Sequence, residues 1–164
     1  MMISATHPES PVKADITIRP VMVPDDLRWL QQWTGLDADC LIPFYESING
    51  SSFMQSMMVW DNEQPVFQVD ICEAIFDDFG AGDALGPGDY TLRFQFSPEA
   101  PISVIQQGLY NCIDHVFLQK KATRILMPVH KSNKILLDWV KDAHFALATG
   151  MVHKPQYPLY ILTK

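Results

Sequence analysis

The sequence predicts an α+β domain, a mixed and mostly antiparallel sheet of about seven strands flanked by three or four helices. Two observations carry this. Short runs of strict two-residue alternation recur along the chain and outnumber the stretches with helical spacing. Between residues 91 and 129 a strand pattern, a long amphipathic stretch and a second strand pattern follow in order. That order is a crossover unit, expected to be parallel and right-handed within an otherwise antiparallel sheet.

Residues 1–14 are polar, contain Pro8 and Pro11, and are expected to form a flexible tail; residues 15–164 are expected to form one domain. Ile16-Thr17-Ile18-Arg19-Pro20 alternates as a half-buried first strand does. Pro24-Asp25-Asp26 opens a helix, an Asp suiting its positive end, and Gly35 ends it. Leu27, Trp29, Leu30 and Trp33 are its apolar stripe. Between Asp39 and Gln55 the pattern is mixed; Pro43, Asn49-Gly50 and Ser51-Ser52 suggest a short helix and a loop. Residues 57–60 and 66–71 read as strands joined by a hairpin turn over Asp61-Asn62-Glu63-Gln64.

Residues 77–90 hold Gly80, Gly82, Gly86 and Gly88, half of the eight glycines, and read as a long excursion. Their Asp77, Asp78, Asp83 and Asp89 do not follow the order of a calcium loop, so no metal site is expected. In 91–96, Leu92, Phe94 and Phe96 share one face and Thr91, Arg93 and Gln95 the other. Ile102, Ile105, Leu109, Ile113, Val116 and Phe117 line one stripe of a helix between Pro101 and Lys120. Residues 124–129 form a short strand, Asn133 opens a helix, and 146–152 and 159–162 close the chain as strands.

The 164 residues, 48% apolar, suffice for a single core. A net charge of −7 repels phosphate backbones and argues against nucleic acid as a partner. Cys40, Cys72 and Cys112 form no CxxC pair, which argues against a disulfide framework or a zinc site and makes a reducing cytoplasm the expected compartment. No apolar run approaches the roughly 20 residues that span a bilayer, so no membrane partner is expected. Exposed strand edges near the carboxyl end would allow a homodimer.

Asn133 and Phe145 stand twelve residues apart, with His144 just before Phe145; Arg19-Pro20 ends the first strand and Asp25 follows it at the start of a helix. Together with the strand order these features resemble the GNAT N-acetyltransferase superfamily, over Ile16 to Phe145. In that superfamily a Gly-Phe commonly ends the helix, so His144 takes the glycine's place. A narrower likeness is to the siderophore-biosynthesis-type branch, which acylates lysine or hydroxylysine-like side chains. Pro65-Val66-Phe67-Gln68-Val69-Asp70, Asp89-Tyr90-Thr91-Leu92-Arg93, Asp114-His115-Val116-Phe117 and Arg124-Ile125-Leu126-Met127-Pro128 are similar to its segments. Arg93 holds that branch's histidine position, and Val129 or His130 the place of an acidic residue.

The resemblance implies acetyl-CoA or another acyl-CoA as cosubstrate, its pantetheine arm lying between splayed strands at 91–96 and 124–129. Main-chain groups of Phe94, Gln95 and Phe96 would then meet the thioester, where backbone N–H groups can polarise the carbonyl. The pyrophosphate would sit at the start of the following helix, near Ser97 and Ser103. The family's glycine-rich loop is replaced there by Ser97-Pro98-Glu99-Ala100-Pro101, which brings two prolines and an acid. The alternative for these residues is a plain helix start. Asn133 can cap its helix, touch the cofactor, or both. The tyrosine that many members use as an acid falls on Val140, which cannot donate.

Asp70, Glu73 and His130 are candidate general bases; each can equally be an ordinary strand or turn residue. Arg93 and Asp89 are candidates for substrate binding, Arg93 alternatively pairing with Asp70. The expected function is acyl-CoA-dependent N-acyl transfer, an amine on a small molecule or side chain attacking the thioester directly. The alternatives are a catalytically inactive GNAT-like module that binds a ligand or partner after losing its pyrophosphate loop, or an unrelated mixed-sheet domain.

Overall fold

The computed structural model describes residues 14–77, 84–148 and 154–164. Seven strands make one sheet: β1 (Ile16–Pro20), β2 (Met54–Asp61), β3 (Gln64–Glu73), β4 (Asp89–Phe96), β5 (Arg124–Pro128), β6 (Ala146–Leu147) and β7 (Leu159–Thr163). Their order across the sheet is β1-β2-β3-β4-β5-β7-β6. Only β4 and β5 run parallel; the other neighbours are antiparallel. Helices α1 (Leu27–Thr34), α2 (Ala38–Asn49), α3 (Ile102–Gln119) and α4 (Lys134–Asp142) flank it, with a 3-10 turn at Ala74–Phe76. The predicted α+β class and strand number therefore hold.

Strand alternation sorts side chains to the two faces of the sheet. Val59, Phe67, Val69, Leu92 and Ile125 pack with Leu109, Cys112 and Val116 of α3 and Leu136 and Trp139 of α4. Met58 on the opposite face packs with Leu30 of α1 and Leu41, Tyr45 and Ile48 of α2. Gly108 lets α3 close on the sheet, since a Cβ there would lie 2.8 Å from Cε1 of buried Phe67.

Local signals hold with instructive exceptions. The helix after the first strand starts at Leu27 behind Asp26, one residue beyond the expected Asp25. Asp26 does not cap it; its carboxylate accepts two bonds from the Arg19 guanidinium, at 2.8 and 2.7 Å, and one from the Met22 N–H at 2.8 Å. Gly35 ends α1 in the left-handed region, φ +71°. The expected short helix is a twelve-residue one, α2, that contains Pro43. Burial of Leu41, Tyr45 and Ile48 outweighs the hydrogen bond that the proline forfeits.

The hairpin turn is as expected, Asn62 adopting φ +52°. Asn133 caps α4 by accepting the Leu136 N–H at 3.2 Å. That helix ends with Phe145 N–H donating to the Val140 carbonyl, His144 N–H donating to the Lys141 carbonyl, and His144 at φ +63°. Of the strand expected over 146–152, Ala146 and Leu147 are observed; 149–153 lie outside the described residues, as do Asp78, Gly80, Gly82 and Asp83 of the excursion and nearly all of the expected tail.

Candidate active site

The parallel strands part company early. β4 and β5 pair at only Asp89 with Arg124, Tyr90 with Ile125 and Thr91 with Leu126, although β4 continues to Phe96. Alternation shows which main-chain groups the parting exposes. Ser97 N–H donates to the Val66 carbonyl across β3, so Leu92, Phe94 and Phe96 aim their N–H and C=O groups the other way, toward β5. Val129 N–H donates to the Pro158 carbonyl on the β7 side, so Leu126 and Pro128 face β4. Pro128 has no N–H to offer the Leu92 carbonyl, and the ladder stops there. Beyond Pro128 the chain stays with the β7 side, Lys131 N–H donating to the Gln156 carbonyl at 3.0 Å. The result is a break in the pairing, a wedge in hydrogen-bonding terms, edged on the β4 side by Phe94 and Phe96 main-chain groups that meet no strand among the described residues. Gln95 turns its main chain to β3, and its Nε2 donates to the Trp33 carbonyl at 2.9 Å.

The segment 97–101 leads from the wedge into α3. Ser97 is buried; its hydroxyl accepts the Glu99 N–H and its carbonyl the Ala100 N–H. Pro98 and Pro101 have no donor, and Val104 and Ile105 donate to the Pro101 carbonyl. The free donors at this helix start are the amides of Ile102 and Ser103, both exposed residues.

On the α1–α2 face of β3, Asp70 anchors a polar cluster in an apolar setting. Its carboxylate accepts Gln68 Nε2 at 2.6 Å and the Ser56 hydroxyl, while Gln68 Nε2 also reaches Ser56 Oγ at 3.1 Å. Ser56 and Gln68 are buried. Burial raises the Asp70 carboxyl above its ordinary value, against the two hydrogen bonds that favour the anion. Buried Tyr45 is raised likewise, first by burial and then by the nearby Asp70 charge. Asp70, Gln68, Tyr45 and Gln95 line a cavity of about 260 Å³ whose other walls are Thr34, Leu36, Cys40, Leu41 and Phe44.

The remaining candidates go elsewhere. Glu73 sits three residues along β3, opposite Tyr90, and lines a separate cavity of about 410 Å³ with Tyr90 and Lys120. Arg93 does not pair with Asp70, though it lies across from it; its guanidinium binds Asp77, Nη2 to Oδ1 at 2.6 Å. Asp89 is 4% exposed and its oxygens accept Arg124 Nε and Nη2, each at 2.7 Å, and the Gly86 N–H at 2.9 Å. Burial alone would raise Asp89; Arg124 and Gly86 outweigh it and hold the carboxyl below its ordinary value. These contacts make Asp89 a clamp at the closed end of the wedge.

His130 follows β5 on the open side. Its Nδ1 accepts the Ser132 N–H at 3.1 Å and lies 2.6 Å from Ser132 Oγ, with Tyr157 edge-on at 4.9 Å. A neutral ring so held carries its proton on Nε2. Ser103 is exposed at the start of α3, and Asn133 caps its helix through Oδ1. Sequence reading missed Ser56, Gln68, Tyr45 and Pro128. A serine and a glutamine within otherwise apolar strand runs were the available signal for the first two.

No protein-family model and no curated protein matches this chain. Solved structures do resemble it. The aminoglycoside acetyltransferase AAC(6')-Ib in complex with coenzyme A superimposes with a TM-score of 0.73 at 17% identity, covering 92% of this chain and 95% of that one. The Campylobacter jejuni N-acetyltransferase PseH in complex with acetyl coenzyme A gives 0.72 at 14%, covering 91% and 99%. An uncharacterized Bacillus halodurans protein gives 0.78 at 14%, covering 90% and 83%. The chain thus has the fold of the GNAT N-acetyltransferases.

Proposed function

We propose that this chain is an acyl-CoA-dependent N-acyltransferase, with acetyl-CoA or another acyl-CoA as cosubstrate and a small-molecule or side-chain amine as acceptor. The observation that carries the reading is the parting of β4 from β5 after three residue pairs, which leaves a strand edge of main-chain donors and acceptors. The pantetheine amides pair with Phe94 and Phe96, and a backbone N–H polarises the thioester carbonyl. The pyrophosphate lies over the start of α3, bound by the Ile102 and Ser103 amides and the Ser103 hydroxyl. Neighbours of the same fold carry coenzyme A or acetyl coenzyme A, which supports this cosubstrate.

The acceptor amine enters the cavity under α1 and α2, where Asp70 takes its proton. The neutral nitrogen attacks the carbonyl carbon, a C–N bond forms, and the C–S bond breaks with its electron pair leaving on sulfur. The second proton that nitrogen sheds on becoming an amide passes through solvent to that sulfur, giving free CoA thiol. A thiol of pKa around 8.5 can depart as the anion, so Val140 in the usual acid position is tolerable. His130 Nε2–H, on the open side of the wedge, is the side chain we assign to meet that anion. Alignment is the main contribution asked of the protein, about 7–11 kcal/mol of barrier in favourable cases. Glu73 and Asp89 have no part in this scheme.

A second reading, an inactive binding module, is favoured by the 97–101 segment, where two prolines lack donors and Glu99 adds a negative charge beside the pyrophosphate position. Isothermal titration with acetyl-CoA and longer acyl thioesters, followed by a thiol-release screen over amines, separates the two. Binding and amine-dependent release support acyl transfer. Binding without release from any amine favours the module, and no binding of any thioester defeats the enzyme.

A further inference from the structure

The walls of the Asp70 cavity restrict what it can hold. Of the nine described residues lining it, Asp70 is the one with an ordinarily charged side chain; none is Lys, Arg or His. The guanidinium of Arg93, the residue paired with Asp70 across β3 and β4, is exposed and held by Asp77 at 2.6 Å. Gln68 and Gln95, which carry no charge, are bound to Ser56 and Asp70 and to the Trp33 carbonyl respectively. The rest is mainly hydrocarbon: Leu41 and Tyr45 are buried, and Leu36 and Phe44 are 51% and 46% exposed at the rim. Such exposed apolar side chains beside a cavity are what an apolar ligand would cover.

Resting on the reading of this cavity as the acceptor site, we infer that the acceptor is a primary monoamine with an uncharged, apolar body. Its ammonium sits against Asp70, and its carbon skeleton lies among Leu36, Leu41, Phe44 and Tyr45. An α-amino acid would bring a carboxylate beside Asp70 with no cation to receive it, and like charges in a poorly solvated site repel strongly. A polyamine would bring a second ammonium with no second carboxylate among the described lining residues, Asp77 nearby being held by Arg93, leaving a charge against hydrocarbon. About 260 Å³ lies below the roughly 300–1,000 Å³ of drug-sized pockets, so the molecule is small.

Calorimetric titration of the full chain, with and without saturating CoA, tests this with phenethylamine, n-hexylamine, phenylalanine and spermidine. Phenethylamine or n-hexylamine is expected to bind at least about tenfold more tightly than phenylalanine and spermidine. Asp70→Asn is expected to weaken the amine about tenfold, and Phe44→Ala, at a position 46% exposed, to weaken phenethylamine severalfold. Equal or tighter binding of phenylalanine or spermidine, no loss in Asp70→Asn, or no amine binding with or without CoA overturns the inference. Titration of acetyl-CoA alone separates the two readings: its failure defeats acyl transfer, while the amine series still decides the character of the cavity.

Discussion

The Leu92 carbonyl and the Pro128 nitrogen stand where the next β4–β5 hydrogen bond would fall, just beyond the last paired residues, and Pro128 has no N–H to give. An interior strand position that would normally cost a ladder bond here ends the ladder where the wedge begins. In Pro128→Ala the new amide is expected to donate to Leu92 and extend the pairing by one rung. Its exchange with deuterium should be slow. Acetyl-CoA, proposed for the wedge, should bind about fivefold more weakly, because a bond of about 1 kcal/mol must open first. Fast exchange at residue 128 with unchanged affinity would show that strand direction, and not the missing donor, keeps the strands apart.

Asp70 gives a pH signature. Burial raises its folded pKa above the ordinary 3.8, so the folded protein holds this proton more tightly than the unfolded chain does. Its contribution to stability therefore improves as pH falls from the raised value toward 3.8 and is least favourable above the raised value. Asp70→Asn, which keeps the shape and can still bond Ser56 and Gln68, is expected to raise the Tm at pH 7. The gain should shrink through that window and be gone by about pH 3. A Tm difference independent of pH would remove burial of charge as its cause.

Asp89 has the opposite sign. Its pKa is depressed in the fold, so its stabilisation is complete above the ordinary carboxylate value and is lost as pH falls through the lower folded one. Asp89→Asn leaves the Arg124 guanidinium without its anion and is expected to cost about 3 kcal/mol at pH 7 and much less at pH 2. Urea melts at the two pH values measure both numbers.

His144 holds a left-handed conformation, φ +63°, at a helix end where glycine carries no Cβ penalty. His144→Gly is expected to stabilise the chain by about 1 kcal/mol, read as a higher urea midpoint with unchanged slope. A lower midpoint would mean that the imidazole contributes contacts worth more than the strain.

That last residue also shows how far sequence reasoning reached. The interval between Asn133 and Phe145 was legible because a capped helix of fixed length leaves a cap residue, an apolar stripe and a stop. Strand alternation was legible in the same way, as was the parallel crossover. The partners of the charged residues were not. Arg93 facing Asp70 suggested a pair, yet the guanidinium reaches Asp77, just past the 3-10 turn that follows β3, a choice made by a chain path that no local pattern encodes. Asp89 read as part of an aspartate-rich excursion and a candidate for substrate binding, whereas β4–β5 pairing places Arg124 directly beside it. Pro43 read as a limit on the helix because the packing that overrides it, Leu41, Tyr45 and Ile48 against Leu30 and Met58, depends on two other segments. Pro128 was seen only as a matching letter; its meaning needed the direction of each amide.

The Arg124–Asp89 clamp lies on the first rung shared by β4 and β5, and the pairing ends after two more rungs. The pair of strands is thus built like a clothes-peg, with a spring at one end and jaws at the other. Acid or a substitution that slackens the spring would let the jaws shift before the domain melts, so occupancy of the gap would fall at a milder pH than the one that unfolds the chain.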